Sequence, residues 1–197
     1  MRSYSMELLS GILFSDIDYL KMKIDKKFHW ISYFFIALLF TIIGFVSSLY
    51  IPTNDVPKKI IIFIVTIGSL LTFLGVLILS FLIFTIIKLF LNLDISSKTI
   101  KDIALIGSVP LLLNNLFNTI MNGFFGVAPN GYVSLNYFFY SQNRFLNNFF
   151  QSINPFYIWS WILVSVLFYK FTSSQINNKS LPIIYTLMFF GIKVLLG

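Results

Sequence analysis

An all-α integral membrane protein, with five transmembrane helices preceded by an N-terminal amphipathic surface helix, is the fold class this sequence predicts. Three observations predict it. Hydrophobic side chains make up 57% of the 197 residues and charged ones only 11%, with a mean hydropathy of +0.86, whereas about a quarter of the residues of a soluble domain are charged. Charge is absent over long windows: none lies between Lys27 and Asp55, none between Lys59 and Lys88, and none from Ile103 to Asn143. Each window holds the roughly 20 apolar residues that cross a bilayer core. Polar turn signals punctuate the windows, so the apolar segments read as separate spans of one compact domain.

Residues 1–28 form the first unit. Leu9, Leu13, Ile17, Leu20, Ile24 and Phe28 recur at steps of three and four, while Asp16, Asp18, Lys21, Lys23, Asp25, Lys26 and Lys27 fill the opposite face. This spacing predicts an amphipathic cytoplasmic helix lying on the membrane surface. A signal peptide would carry its positive charges ahead of the apolar run, and here they follow Asp16 and Asp18.

Residues 29–197 form the membrane domain. The first two uncharged windows are spans one and two, joined by the tight polar turn "IPTNDVPKK". "LFLNLDISSKTIKD" then ends one helix and caps the next through Ser96 or Ser97. A third span runs from Ile103 to about Gly123, and an aromatic loop, about 123–153, follows it. "NPFYIWSWILVSVLFYK" starts with Asn154 as N-cap and Pro155 in the first turn, which makes span four. "LPIIYTLMFFGIKVLLG" makes a short span five.

Orientation follows from the distribution of Lys and Arg. With the N-terminus cytoplasmic, ten basic residues face inward (Arg2, Lys21, Lys23, Lys26, Lys27, Lys88, Lys98, Lys101, Lys170, Lys179) and four outward (Lys58, Lys59, Arg144, Lys193). The asymmetry places this multi-pass chain in the cell membrane with its C-terminus extracytoplasmic. Lys88 and Lys193 read as snorkelling residues at the inner and outer faces.

Nothing in the sequence assembles catalytic chemistry. The seven acids, Glu7, Asp16, Asp18, Asp25, Asp55, Asp94 and Asp102, fall in termini or loops, so no carboxylate pair is expected at depth. His29 is the single histidine and sits beside Trp30, an interfacial anchor position; there is no cysteine to complete a metal site. No enzymatic activity, cofactor or metal is expected. The net charge of +7 is accounted for by topology, and no basic face interleaved with stacking aromatics marks a nucleic-acid partner. The expected partners are membrane lipids, with another membrane protein or an external peptide beside them.

The order of features resembles a known family. An N-terminal surface helix, a two-span hairpin, the block "KLFLNLDISSKTIKDIALIGSVPLLLNNL" with Pro110 in the third span, and a fourth span opening on Phe156, Ile158 and Trp159 are similar to the Ypt-interacting protein (Yip) family in its prokaryotic form. The resemblance covers most of the chain from about Leu8. It implies five spans, a cytoplasmic N-terminus and a non-enzymatic role as a scaffold or partner-binding protein. The cytoplasmic region ahead of span one, about 27 residues, is shorter than the one eukaryotic members turn toward trafficking GTPases, so no GTPase partner is carried over. A transport component, or an immunity protein against a membrane-active peptide, is the alternative.

The third span carries the candidate site. Pro110 removes a backbone donor and frees the carbonyl of Ile106, with Gly107 and Ser108 able to absorb the change. Asn114, Asn115 and Asn118 then place amides at depth, and Asn114 and Asn118 share one face. Two readings stay open: the amides bond to neighbouring helices, with Ser160, Ser165 or Thr186 as partners, or they line a small polar cavity. The loop offers a second candidate in Tyr137, Tyr140, Arg144 and Asn147, as a belt seated among lipid headgroups or as an external docking surface.

Overall fold

The computed structural model describes residues 16–25, 30–53, 56–128, 131–139, 141–176 and 178–196. Leu9, Leu13, Phe28, His29 and Tyr140 lie outside the described residues. All regular structure among those described is helical: α1 (Ile17–Asp25), α2 (Trp30–Tyr50), α3 (Lys58–Phe90), α4 (Ser97–Phe125), α5 (Arg144–Ser152), α6 (Pro155–Thr172) and α7 (Leu181–Leu196), with a 3-10 turn at Leu135–Tyr137.

Local chemistry starts these helices where the sequence places their caps. The Ser96 side chain accepts from Thr99 N at 3.0 Å and opens α4. Asn143 accepts from Phe145 N and Leu146 N to open α5. Asn154 accepts from Phe156 N at 2.9 Å, with Pro155 in the first turn, to open α6. Each oxygen satisfies one or two of the amide groups that a helix start leaves unpaired.

The long helices run up and down, so the bundle has two ends. The hairpin end holds residues 51–53 and 56–57, the close of α4, α5, the start of α6 and the close of α7. The link end holds α1, the α3–α4 link and the α6–α7 link, and there Gln175 clamps the two links together. Its amide oxygen accepts from Asp94 N at 2.7 Å and its amide nitrogen donates to Asp94 O at 3.2 Å.

α4 is the central helix. Of its apolar window 67% is buried, against 22% for α2 and 28% for α3, and it packs on α1, α2, α3 and α6. Two crossings use the same device. At Gly44 of α2 a Cβ would stand 2.6 Å from Ser69 Cβ of α3, and the Ser69 hydroxyl donates to Phe40 O at 2.8 Å. At Gly107 of α4 a Cβ would stand 2.2 Å from Val164 Cγ1 of α6, and the Ser160 hydroxyl donates to Gly107 O at 2.5 Å. Between apolar helices in lipid, close approach and cross-helix hydrogen bonds replace the hydrophobic effect as the source of association. Deeper in the bundle, Phe84 of α3 stacks on Phe168 of α6 at 4.3 Å, and Tyr185 and Phe189 of α7 close around them.

By length and composition α2 (from Ile31), α3 and α4 can each cross a membrane, and α5 with α6, which meet at a 68° bend, make a fourth candidate if counted together. α7 is apolar but shorter, at 16 residues. The third apolar segment is longer than Ile103–Gly123, because Ser96 starts its helix at Ser97.

Two expectations are corrected. α1 does form, but Leu20 and Ile24 are buried in the core cluster, and the helix packs on α4 and α6. Its Asp18 meets Lys170 at 2.9 Å, and its Lys21 donates to Lys170 O at 3.3 Å. The apolar face of the described part is therefore taken up by protein, and α1 belongs to the bundle. Asp102 lies within α4, not in a loop, and is 2% exposed. Tyr33 of α2 donates its hydroxyl to Asp102 Oδ1 at 2.6 Å, which lets a carboxylate sit among packed helices.

Candidate functional site

The proline-containing stretch of α4 runs through as continuous helix. Pro110 frees the carbonyl of Ile106, and hydroxyls attend the carbonyls on either side of it. Ser108, fully buried, donates to Leu105 O at 2.7 Å, and Ser160 donates to Gly107 O. The absence of a side chain at Gly107 is what lets α6 come close enough for the Ser160 bond.

The amides divide between two faces. Asn114, 5% exposed, is enclosed: its side-chain oxygen accepts from Asn118 Nδ2 at 3.3 Å and from Asn154 Nδ2 at 3.0 Å, and its backbone oxygen accepts from Asn118 Nδ2 at 3.0 Å. The Asn118 side-chain oxygen accepts from Tyr132 N at 2.8 Å, which ties the loop to α4. These two amides thus join α4, α6 and the loop.

Their partners differ from those expected. Ser160 bonds to Gly107, Thr186 donates to Pro182 O of its own helix at 2.8 Å, and Ser165 Oγ is buried with no partner. Helix register explains this. α4 and α6 are antiparallel, and the seven residues from Gly107 to Asn114 are matched by the six from Ser160 back to Asn154. Asn154, already the cap of α6, is the residue brought level with Asn114.

Asn115 takes the opposite role. It lines a cavity of about 280 Å³ between α3, α4, α6 and α7, and a second of about 210 Å³ between α2, α3 and α4. Its side-chain amide has no hydrogen-bond partner among the described residues. Of the residues singled out in the third span, Asn115 alone opens on both cavities. Asn118 reaches only the smaller one, beside Ser47, Ser69 and Thr119. Thr119 was not singled out from the sequence, although four-residue spacing from Asn115 puts it on the same face.

The loop forms an aromatic shelf at the hairpin end. Four contacts hold it in place: Asn118 to Tyr132 N; the Tyr132 hydroxyl to Gly126 O; Leu135 N to Ile153 O at 3.0 Å; and, from α5, Asn148 Nδ2 to Val194 O of α7 at 3.3 Å. Gly126, at φ +88 and ψ 179, ends α4 in a positive-φ conformation that glycine adopts most readily. On this fixed frame Tyr137, Phe138, Phe139 and Phe145 are exposed. Tyr137 meets Tyr132 at 5.3 Å and Phe138 edge-on at 5.1 Å. Arg144 is exposed beside Phe145 at the start of α5. Asn147 differs from expectation: it is half-buried, with its side-chain oxygen enclosed and unpaired. The α5 helix turns Asn147 and Asn148 toward the bundle and Phe145 and Leu146 outward. Sequence reading missed Phe138, Phe139 and Phe145, whose signal was the runs "NYFFY" and "RFLNN".

Among the described residues, no group of three His, Cys, Asp or Glu side chains could hold a metal ion. Compared with known proteins, the chain matches no family description, no curated protein and no solved structure.

Proposed function

We propose that this chain is a non-catalytic, multi-pass protein of the cell membrane, of Yip-like type, that binds a second membrane protein through its aromatic shelf. On this reading it has five spans, α7 being the short fifth, with the N-terminus cytoplasmic and the shelf and C-terminus extracytoplasmic. The observation that carries the reading is the pairing of exposed Tyr137, Phe138, Phe139 and Phe145 with a loop held from α4, from Ile153 at the close of α5, and from α7. A clustered apolar face marks an interaction site, and rigid aromatic anchors lose little entropy on binding. Since the chain has no cysteine, one introduced at Phe138 or Phe139 is a unique crosslinking handle. It is expected to trap one defined membrane protein in cells; adducts with lipid alone would overturn the reading.

A transport component or an immunity protein against a membrane-active peptide is the second reading, favoured by the two cavities meeting at Asn115. Deletion of the gene is then expected to change sensitivity to at least one such peptide, and an unchanged response across a panel would count against it.

A further inference from the structure

Two lysines at the hairpin end are used differently. Lys58 Nζ donates to Leu49 O at 2.9 Å and to Ile51 O at 2.8 Å, covering free carbonyls at the close of α2. Lys193, in the last turn of α7, has no hydrogen bond or ion pair among the described residues. Its Nζ stands 5.8 Å from the Tyr157 ring centre, and Tyr157 stacks on Trp161 at 6.1 Å. The acids with described side chains, Asp16, Asp18, Asp94 and Asp102, all lie toward the link end, so none of them neutralises this ammonium.

Lys193 lines the cavity of about 280 Å³, and that cavity is graded. The register that pairs Asn114 with Asn154 sets Asn115 level with the first turn of α6, where Tyr157 stands. Lys193, Tyr157 and Asn115 therefore gather at the hairpin-end side. Val164, Leu79 and Phe189 line the wall closer to the middle of the bundle. The hydroxyls of Thr72 and Ser160 on the same wall are engaged by Gly68 O and Gly107 O.

We propose that this cavity holds the acyl chain of an amphipathic anion, a fatty carboxylate or a single-chain phosphate ester, with the anionic head on Lys193. An ammonium in a membrane segment, with no acid beside it among the described residues, is costly and gains most from an anion that shares its desolvated position. A cavity with apolar walls and a few polar groups at one end is the form that orients such a ligand. The Asn115 amide supplies a neutral donor at the level of the head.

The test uses the full chain in nanodiscs of neutral phosphatidylcholine, with palmitic acid bearing a terminal diazirine as the photolabel and its methyl ester as the uncharged counterpart. The acid is expected to label cavity positions on α6 and α7 about tenfold more efficiently than the ester, the worth of one charge-assisted bond. Palmitate and lysophosphatidate are expected to compete, and the one effective at lower concentration identifies the head; inorganic phosphate is expected not to compete. Lys193→Met should erase the preference for the acid while leaving ester labelling unchanged, and Lys193→Arg should keep it. Equal labelling by acid and ester in the unaltered protein overturns the proposal without need of any variant. So does competition by inorganic phosphate equal to that by lysophosphatidate, or a preference that survives Lys193→Met.

Discussion

Asn154 uses both ends of one amide: its nitrogen donates to the side-chain oxygen of Asn114 at 3.0 Å, and its oxygen caps α6 by accepting from Phe156 N at 2.9 Å. The start of one helix is thereby fixed to the middle of another at a single residue.

The two roles of Asn154 separate by substitution. Asn154→Ser keeps a capping oxygen but is too short to reach Asn114, so it should lose only the interhelical bond, about 0.6–1.7 kcal/mol. Asn154→Ala should lose the cap as well, a further 0.5–2 kcal/mol or so. Asn114→Leu together with Asn118→Leu should lower the yield of folded protein, because it strands Asn154 Nδ2 and Tyr132 N. Denaturation in mixed micelles measures all three, and equal losses for the Ser and Ala variants at 154 would contradict the division.

Gly107 and Gly68 make a matched pair. A Cβ at Gly107 meets Val164 Cγ1 at 2.2 Å, while one at Gly68 meets nothing within 4 Å. Gly107→Ala should cost about 1–3 kcal/mol through overpacking, and Val164→Ala in the same chain should restore much of it. Gly68→Ala should be neutral or stabilising by up to about 1 kcal/mol through helix propensity. Thermal unfolding followed by circular dichroism compares the four proteins.

The Tyr33 hydroxyl is the hydrogen-bond donor to Asp102, whose second oxygen, Oδ2, is buried with no partner. Tyr33→Phe should therefore cost about 1–3 kcal/mol by leaving the carboxyl unsatisfied. Adding Asp102→Leu should recover part of that loss, since removing both polar partners is cheaper than removing one. A double variant less stable than Tyr33→Phe by the same measurement would show that Asp102 serves another partner.

The proposed five-span reading makes a topological prediction. A reporter fused after Gly197 should read as extracytoplasmic, and one placed in "TSSQINN", between α6 and α7, as cytoplasmic. The same reading at both sites would mean that α7 does not cross.

Short-range chemistry was legible in the sequence. The caps Ser96 and Asn154 and the Pro155 start announced two helices because capping depends on residues within one turn. The charge-free windows marked α2, α3 and α4. Asp102 was misplaced because charge alone marks a loop, and only the fold brings Tyr33 within 2.6 Å of it. The described part of the α1 stripe, Ile17, Leu20 and Ile24, packs on the core, yet periodicity does not say whether lipid or protein covers an apolar face. Likewise Asn114, Asn115 and Asn118 were recognised together. Their division into a tied pair and an amide that faces the cavities depends on the α4–α6 register, which no local signal encodes.

The length of α3 carries a last consequence. Between Lys59 and Lys88 its 28 uncharged residues, Ile60 to Ile87, span about 42 Å at about 1.5 Å per residue, against a hydrocarbon layer of about 30 Å. As a span, such a helix is mismatched to an average bilayer by about 12 Å and must lean steeply, thicken the lipid around it, or do both. Its neighbours limit the lean, because the Gly44–Ser69 crossing ties α3 to α2, a helix of only 21 residues. The strain therefore falls partly on the lipid, and longer acyl chains should relieve it at α3, with α7, only 16 residues long, setting the opposite limit.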